Sequence, residues 1–295
     1  MLNSKKKRVL QFRYAKYAFC IDFGLLLALF NYKSLHFLNL IIDKYTLHFS
    51  RDTNSLPPDN TTIIFLHDSL GCVELWRDFP KSIESICNCN VLSYDRHGYG
   101  KSSPFTVIQR NNDYLLKEAM ILGKILDQLS LSRVVLFGHS DGGSIALLAA
   151  ALFPEKITGI ITEGAHVFVE KKTIKGIKEA VRLFKNTNLK ERLFKYHGEK
   201  TDAVFKMWTE TWLSPSYQSW NIEKYLPKIK CPSLIIQGEN DEYGTLEQVY
   251  SIVEKTTGES NSLILKNIGH TPHKENPQIV IEKVNQFLRK IGISC

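Results

Sequence analysis

Val134-Val135-Leu136-Phe137-Gly138-His139-Ser140-Asp141-Gly142-Gly143-Ser144-Ile145 is the stretch that decides the fold. Its apolar, β-branched start predicts a buried strand over 133–137. The small and apolar residues of 144–153 predict a helix. Gly138-x-Ser140-x-Gly142 between them is a tight turn, where glycine avoids the clash a Cβ would make. A strand–turn–helix of this kind lifts Ser140 above a sheet edge, at a helix N-terminus whose dipole favours negative charge. The spelling alone also arises by chance. The setting makes Ser140 a candidate nucleophile rather than a capping serine.

The same rhythm continues outward. Strands are predicted over 45–49, 61–66, 90–94, 157–162, 233–237 and 262–265, and helices over 76–86, 113–129 and 278–289. Strands alternating with helices predict an α/β fold, a mostly parallel central sheet flanked by helices. Residues 167–229 break the pattern. They read as helix after helix, rich in Lys, Trp and Tyr, and so as a helical cap inserted over the C-terminal edge of the sheet. Ligands of open α/β sheets bind at that edge. The expected organisation is an N-terminal extension over 1–43, a core over 44–166 and 230–295, and a cap over 167–229.

These features together resemble the α/β-hydrolase family, over most of residues 44–290. The resemblance implies a nucleophile, an acid and a histidine in that chain order. Ser140 needs an adjacent base to attack at neutral pH. His270, in Ile268-Gly269-His270-Thr271-Pro272, matches the family's catalytic histidine. Asp241, after the strand over 233–237, matches the acid; Glu239, Glu242 and Glu163 are its rivals. His273, His166 and His197 are expected at the rim, in the cap or on the surface. One oxyanion donor should be the N–H of Asp141. The other should come from the His67-Asp68-Ser69-Leu70-Gly71 loop, with Ser69 as the expected donor. The family usually has His-Gly at the start of that loop, whereas this chain has His67-Asp68.

Ser140-Asp141-Gly142-Gly143 is also similar to valacyclovir hydrolase. That likeness implies a carboxylate able to hold a substrate amine; the alternative is a solvent-facing turn residue. His67, Asp68, His139, Trp208 and Trp212 are further candidates for substrate contact. The two tryptophans share a helix face and could equally form the cap's own core. The implied reaction is hydrolysis of a small or medium carboxylic ester through an acyl-serine. Carbon–carbon, thioester or aminoacyl-ester hydrolysis is open on the same residues, as is a non-catalytic ligand-binding protein.

Composition agrees with a globular protein, at 43% hydrophobic and 23% charged. The net charge of +8 is concentrated at the N-terminus, where Lys5, Lys6, Lys7 and Arg8 begin the basic run. It therefore gives no argument for nucleic acid. The apolar run over 18–30 contains Asp22 and is shorter than the roughly 20 residues of a membrane span. It reads as a peripheral extension, a weak membrane-surface anchor or a cleaved leader. Six cysteines without framework spacing read as free thiols, which points to the cytoplasm. Asp95 stands where a phosphate-binding loop ending at Gly100-Lys101-Ser102 would need glycine. His270-x-x-His273 and Cys87-x-Cys89 lack the partners of a metal site, so no cofactor or metal is expected.

Overall fold

The computed structural model describes residues 39–51, 56 and 60–294. Six strands form the main sheet: β3 (Thr62–Leu66), β4 (Asn90–Ser93), β5 (Val134–His139), β6 (Ile157–Glu163), β7 (Ser233–Gly238) and β8 (Ser260–Leu265). Their spatial order is β4-β3-β5-β6-β7-β8, and every neighbouring pair is parallel. This is the expected sheet, with the Ser140 strand inside it.

Helices cover both faces because the buried strands are apolar on both sides. Ile64, Leu66, Val134 and Leu136 pack on one layer, with α2 (Tyr114–Gln128), α3 (Asp141–Leu152) and α7 (Leu246–Lys255). Ile63, Phe65, Val135 and Phe137 alternate with them and pack on the other, with α1 (Phe79–Glu84) and α9 (Pro277–Lys290). No element is expected from the sequence between 238 and 261, yet α7 forms there. Thr245 starts it by accepting the Glu247 N–H, and Val249 and Ile252 give it a buried side. Helix α1 is shorter than the expected 76–86, since a 3-10 turn precedes it and Pro80 fixes its start.

Between β6 and β7 the chain forms α4 (Lys171–Asn186), α5 (Leu189–His197) and α6 (Thr201–Leu213), without a named strand. Helix α4 is strongly two-sided. Thr173, Ile177 and Ala180 are buried at helical spacing, and Lys171, Lys175 and Lys178 face solvent. Gly198, at φ 55°, ends α5 in a conformation that favours glycine.

Two sequence expectations change. Strand β1 (Asn39–Ile42) pairs antiparallel with β2 (Tyr45–His48), so a hairpin crosses the 43/44 boundary drawn for the extension. Cys87 and Cys89 form a disulfide, against the expectation of free thiols. The bend after α1 brings their Cα atoms to 5.4 Å, within bridging distance. Cys72 and Cys231 are free. The readings made on residues 1–38 lie outside the described residues. Among the described residues, no helix is long and apolar enough to cross a membrane.

Candidate active site

Ser140 directly follows β5 and caps α3 with φ 55° and ψ −119°, so the positive φ falls on the serine rather than on its glycines. The glycines serve close approach. A Cβ on Gly138 would lie 2.2 Å from Gly142 O, and one on Gly142 would lie 1.9 Å from Leu66 O. The Ser140 N–H donates to Glu163 O at 2.8 Å, which fastens the turn to β6.

His270 lies in the loop after β8, just before α8 (Pro272–Glu275). Its Nδ1 is 2.8 Å from Asp241 Oδ2. Asp241 is fully buried and also accepts from Gln237 Nε2 at 2.7 Å and from the Tyr243 N–H at 2.8 Å. A carboxylate can only accept, so His270 Nδ1 carries a proton and Nε2 is the free basic nitrogen. Burial pulls the His270 imidazole down, but the Asp241 carboxylate outweighs it and sets the ring above its ordinary value. Burial would raise Asp241, and His270 with His166 and the Tyr243 N–H hold it well below the carboxylate range.

Ser140 and His270 open onto one cavity of about 210 Å³. Asp68, Ser69, His139, Asp141, Trp208 and Trp212 also line it, so the structure gathers nine of the ten residues singled out from sequence; Asp241 stands directly behind. His67 is the exception among the proposed substrate contacts. It lines a smaller neighbouring cavity and spends both ring nitrogens internally, on Asp68 O and the Arg96 N–H. Neither the Ser69 N–H nor the Asp141 N–H has a hydrogen bond to another described residue. Two such donors beside a hydroxyl and a basic nitrogen can stabilise a developing oxyanion.

Asp141 is neither solvent-facing nor free. Its carboxylate is 2% exposed, accepts from Tyr114 Oη at 3.0 Å and faces the buried Arg96 guanidinium at 3.8 Å. Tyr114 Oη in turn accepts from Trp212 Nε1 at 2.9 Å. The Trp residues thus both line the cavity and pack in the core.

Sequence reasoning misplaced His166; His197 lies in the expected cap segment, but buried. His166 is buried and lines the cavity, two residues beyond the end of β6 and its glycine; its place at a strand's C-terminal end was the available signal. His197 ends α5, accepting from the Gly100 N–H at 3.1 Å and donating to Leu70 O at 2.9 Å. Nothing in its local sequence announces that long-range role. His273 is buried against Glu163, Nδ1 to Oε2 2.6 Å. Thr173 and Ile177, one turn apart on α4, complete the cavity roof. Among the described residues, no group of three or more His, Cys, Asp or Glu side chains could hold a metal ion.

Residues 61–277 match the family model of the alpha/beta hydrolase fold. The chain is 25% identical over 271 residues to the 2-hydroxy-6-oxononadienedioate/2-hydroxy-6-oxononatrienedioate hydrolase of Escherichia coli K12, covering 83% of this chain and 91% of that protein. Among solved structures it is similar to MGS-M2, an alpha/beta hydrolase from a Medee basin deep-sea metagenome. The TM-score is 0.69 at 21% identity, over 85% of this chain and 97% of that one. A bacterial membrane phospholipase A matches with TM-score 0.70 at 18% identity, over 92% and 93%.

Proposed function

We propose that this chain, which belongs to the alpha/beta hydrolase fold family, hydrolyses a small or medium carboxylic ester through an acyl-Ser140 intermediate. One observation carries the reading: a single cavity joins Ser140 in its left-handed turn, His270 braced by Asp241, and two unengaged N–H groups.

Ser140 Oγ attacks the carbonyl carbon while His270 Nε2 takes its proton. Asp241 stabilises the imidazolium. The N–H groups of Ser69 and Asp141 receive the charge that builds on the carbonyl oxygen. His270 returns the proton to the leaving alkoxide, and the alcohol departs. A water molecule, deprotonated by His270, then attacks the acyl-serine, and His270 returns that proton to Ser140 Oγ as the acid leaves. Side chains, backbone N–H groups and water account for every proton.

Helices α4 to α6 act as the cap. Ile177, Trp208, Trp212 and Tyr243 give the substrate an apolar wall. Among the described residues, the charged lining is acidic, with Asp68, Asp141 and Glu242 and no lysine or arginine. A neutral substrate suits this lining. A dienedioate, the substrate named for the E. coli relative, would meet like charge. That favours an ester, with carbon–carbon bond hydrolysis as the second reading because the relative spans most of this chain. Asp141 is already engaged by Tyr114 and Arg96, so a substrate amine is not needed to balance it.

A fluorophosphonate probe should label wild type and leave Ser140→Ala unlabelled, and p-nitrophenyl butyrate should be turned over. Folded protein that cleaves a dienedioate but no ester or thioester supports the second reading. Failure on every substrate together with absent labelling removes the enzyme reading.

A further inference from the structure

His139 ends β5, immediately before Ser140. Its Nε2 is 2.8 Å from the backbone oxygen of His270, and its Nδ1 is 3.3 Å from Asp68 Oδ2. Asp68 uses its other oxygen to accept the Leu70 N–H at 2.7 Å, which closes the turn that presents Ser69. One buried imidazole therefore spans the turn of the Ser69 N–H and the loop of His270.

Both groups facing the ring, a carbonyl and a carboxylate, can only accept. A neutral imidazole has a single N–H, and the shorter contact, to the carbonyl, takes it. The bare Nδ1 then faces a carboxylate across 3.3 Å, longer than the ~2.7–2.9 Å of a charge-assisted bond. One additional proton turns both contacts into hydrogen bonds.

We propose that Asp68 and His139 form a proton-dependent latch between the turn of Ser69 and the loop of His270, and are positioning residues for the Ser140 reaction. The inference rests on the reaction proposed above. It also gives a use to the aspartate found where the family usually has glycine.

The other titratable groups facing His139 are His270, His273 on α8 and Glu163 on β6; Lys274 acts on Asp68, and Arg96 Nη2 holds the Asp68 carbonyl at 2.8 Å. Burial pulls His139 below its ordinary value, and Asp68 pushes it back. Burial would raise Asp68, yet His139, Lys274 and the Leu70 N–H hold it well below the carboxylate range. Asp68 therefore stays a carboxylate, and His139 gains or loses the proton. The latch closes as pH falls through the His139 value and loosens above it.

The test compares Asp68→Ala and Asp68→Asn with wild type on a p-nitrophenyl ester, separating kcat from KM across roughly pH 4 to 8, a window that reaches below the ordinary imidazole value. Alanine removes the partner, so kcat should fall about 10- to 100-fold with KM within about twofold. Asparagine can donate its amide N–H to the bare Nδ1, so the latch closes without the extra proton. The ratio of Asp68→Asn to wild-type kcat should therefore rise with pH. Loss of the Asp68 charge acting only on His270 predicts the reverse, because Asp68 raises His270 and its removal frees the base at lower pH. A ratio that is flat or falls with pH, or an alanine effect on KM alone, overturns the latch. If the alanine variant does not fold, the asparagine series decides alone. Ser140→Ala is the control: surviving turnover there sinks the underlying reaction, whereas its loss beside a flat asparagine ratio sinks the latch only.

Discussion

Gly142→Ala gives a direct measure of how tightly the nucleophile turn is set against its neighbour. The added Cβ would lie 1.9 Å from Leu66 O, 2.5 Å from Leu66 C and 2.9 Å from His67 O. All are backbone atoms where β3 runs into the loop of Ser69, so no flexible side chain can swing away. Reaching van der Waals contact near 3.4 Å requires the two segments to part by about 1.5 Å. Overpacking of this kind costs about 1–3 kcal/mol. In a chain of this size that lowers Tm by roughly 2–5 °C. The displacement also pulls the Ser69 N–H from Ser140, and a misplacement near 1 Å costs about 100-fold in rate. The expected result is a kcat loss of that order with KM little changed, from ester kinetics and a thermal melt on the same preparation. Wild-type Tm and kcat together would refute the claim that this contact sets the geometry.

The remaining predictions concern proton bookkeeping. Asp241→Asn should lower kcat by roughly 10⁴-fold, because His270 loses both its orientation and its charge partner. Retained activity would pass the acid's role to Glu239, Glu242 or Glu163. His270 must be neutral to act, and its value lies above the ordinary 6.5, so the acid limb of kcat/KM should fall above pH 6.5; a limb at or below that value contradicts the Asp241 contact. Burial raises the Glu163 carboxyl, which therefore stays protonated in the fold where the unfolded chain ionises. Stability from such a group is full below its unfolded value and is lost as pH rises through the folded one. Glu163→Gln cannot ionise, so its Tm relative to wild type should climb from about pH 5 to pH 8; a constant difference would place Glu163 as a carboxylate.

The site was legible in the sequence where chemistry and local structure coincide. Ser140 and Asp241 follow strands that announce themselves by apolar, β-branched residues, and His270 follows the short apolar run Leu263-Ile264-Leu265, so their convergence at one sheet edge follows from the topology. Ser69 and Asp141 follow the same logic through their backbone. Side chains that depend on long-range contacts were not legible. His67 neighbours two cavity residues, yet Arg96, from the loop after β4, turns its ring away from the cavity. Asp141 reads as a surface turn residue until Tyr114, on α2, supplies the hydroxyl that lets it be buried. The β1–β2 hairpin was hidden because its first strand is only four residues beside a longer apolar segment. Helix α7 differs from these: Thr245, Val249 and Ile252 carried its signal locally.

The hydrogen-bond string from Trp212 through Tyr114 to Asp141 bears on how this protein can diversify. New preferences in proteins of this layout are naturally sought by redrawing the helices above the cavity while leaving the nucleophile untouched. Here the two are not separable modules. A change that shifts α6 withdraws the indole from Tyr114, loosens the phenol on Asp141 and disturbs the residue adjoining Ser140. Variants selected for altered recognition should therefore keep an indole at 212 or acquire a compensating donor nearby, and libraries that randomise position 212 alone should be dominated by slow catalysts rather than by re-specified ones.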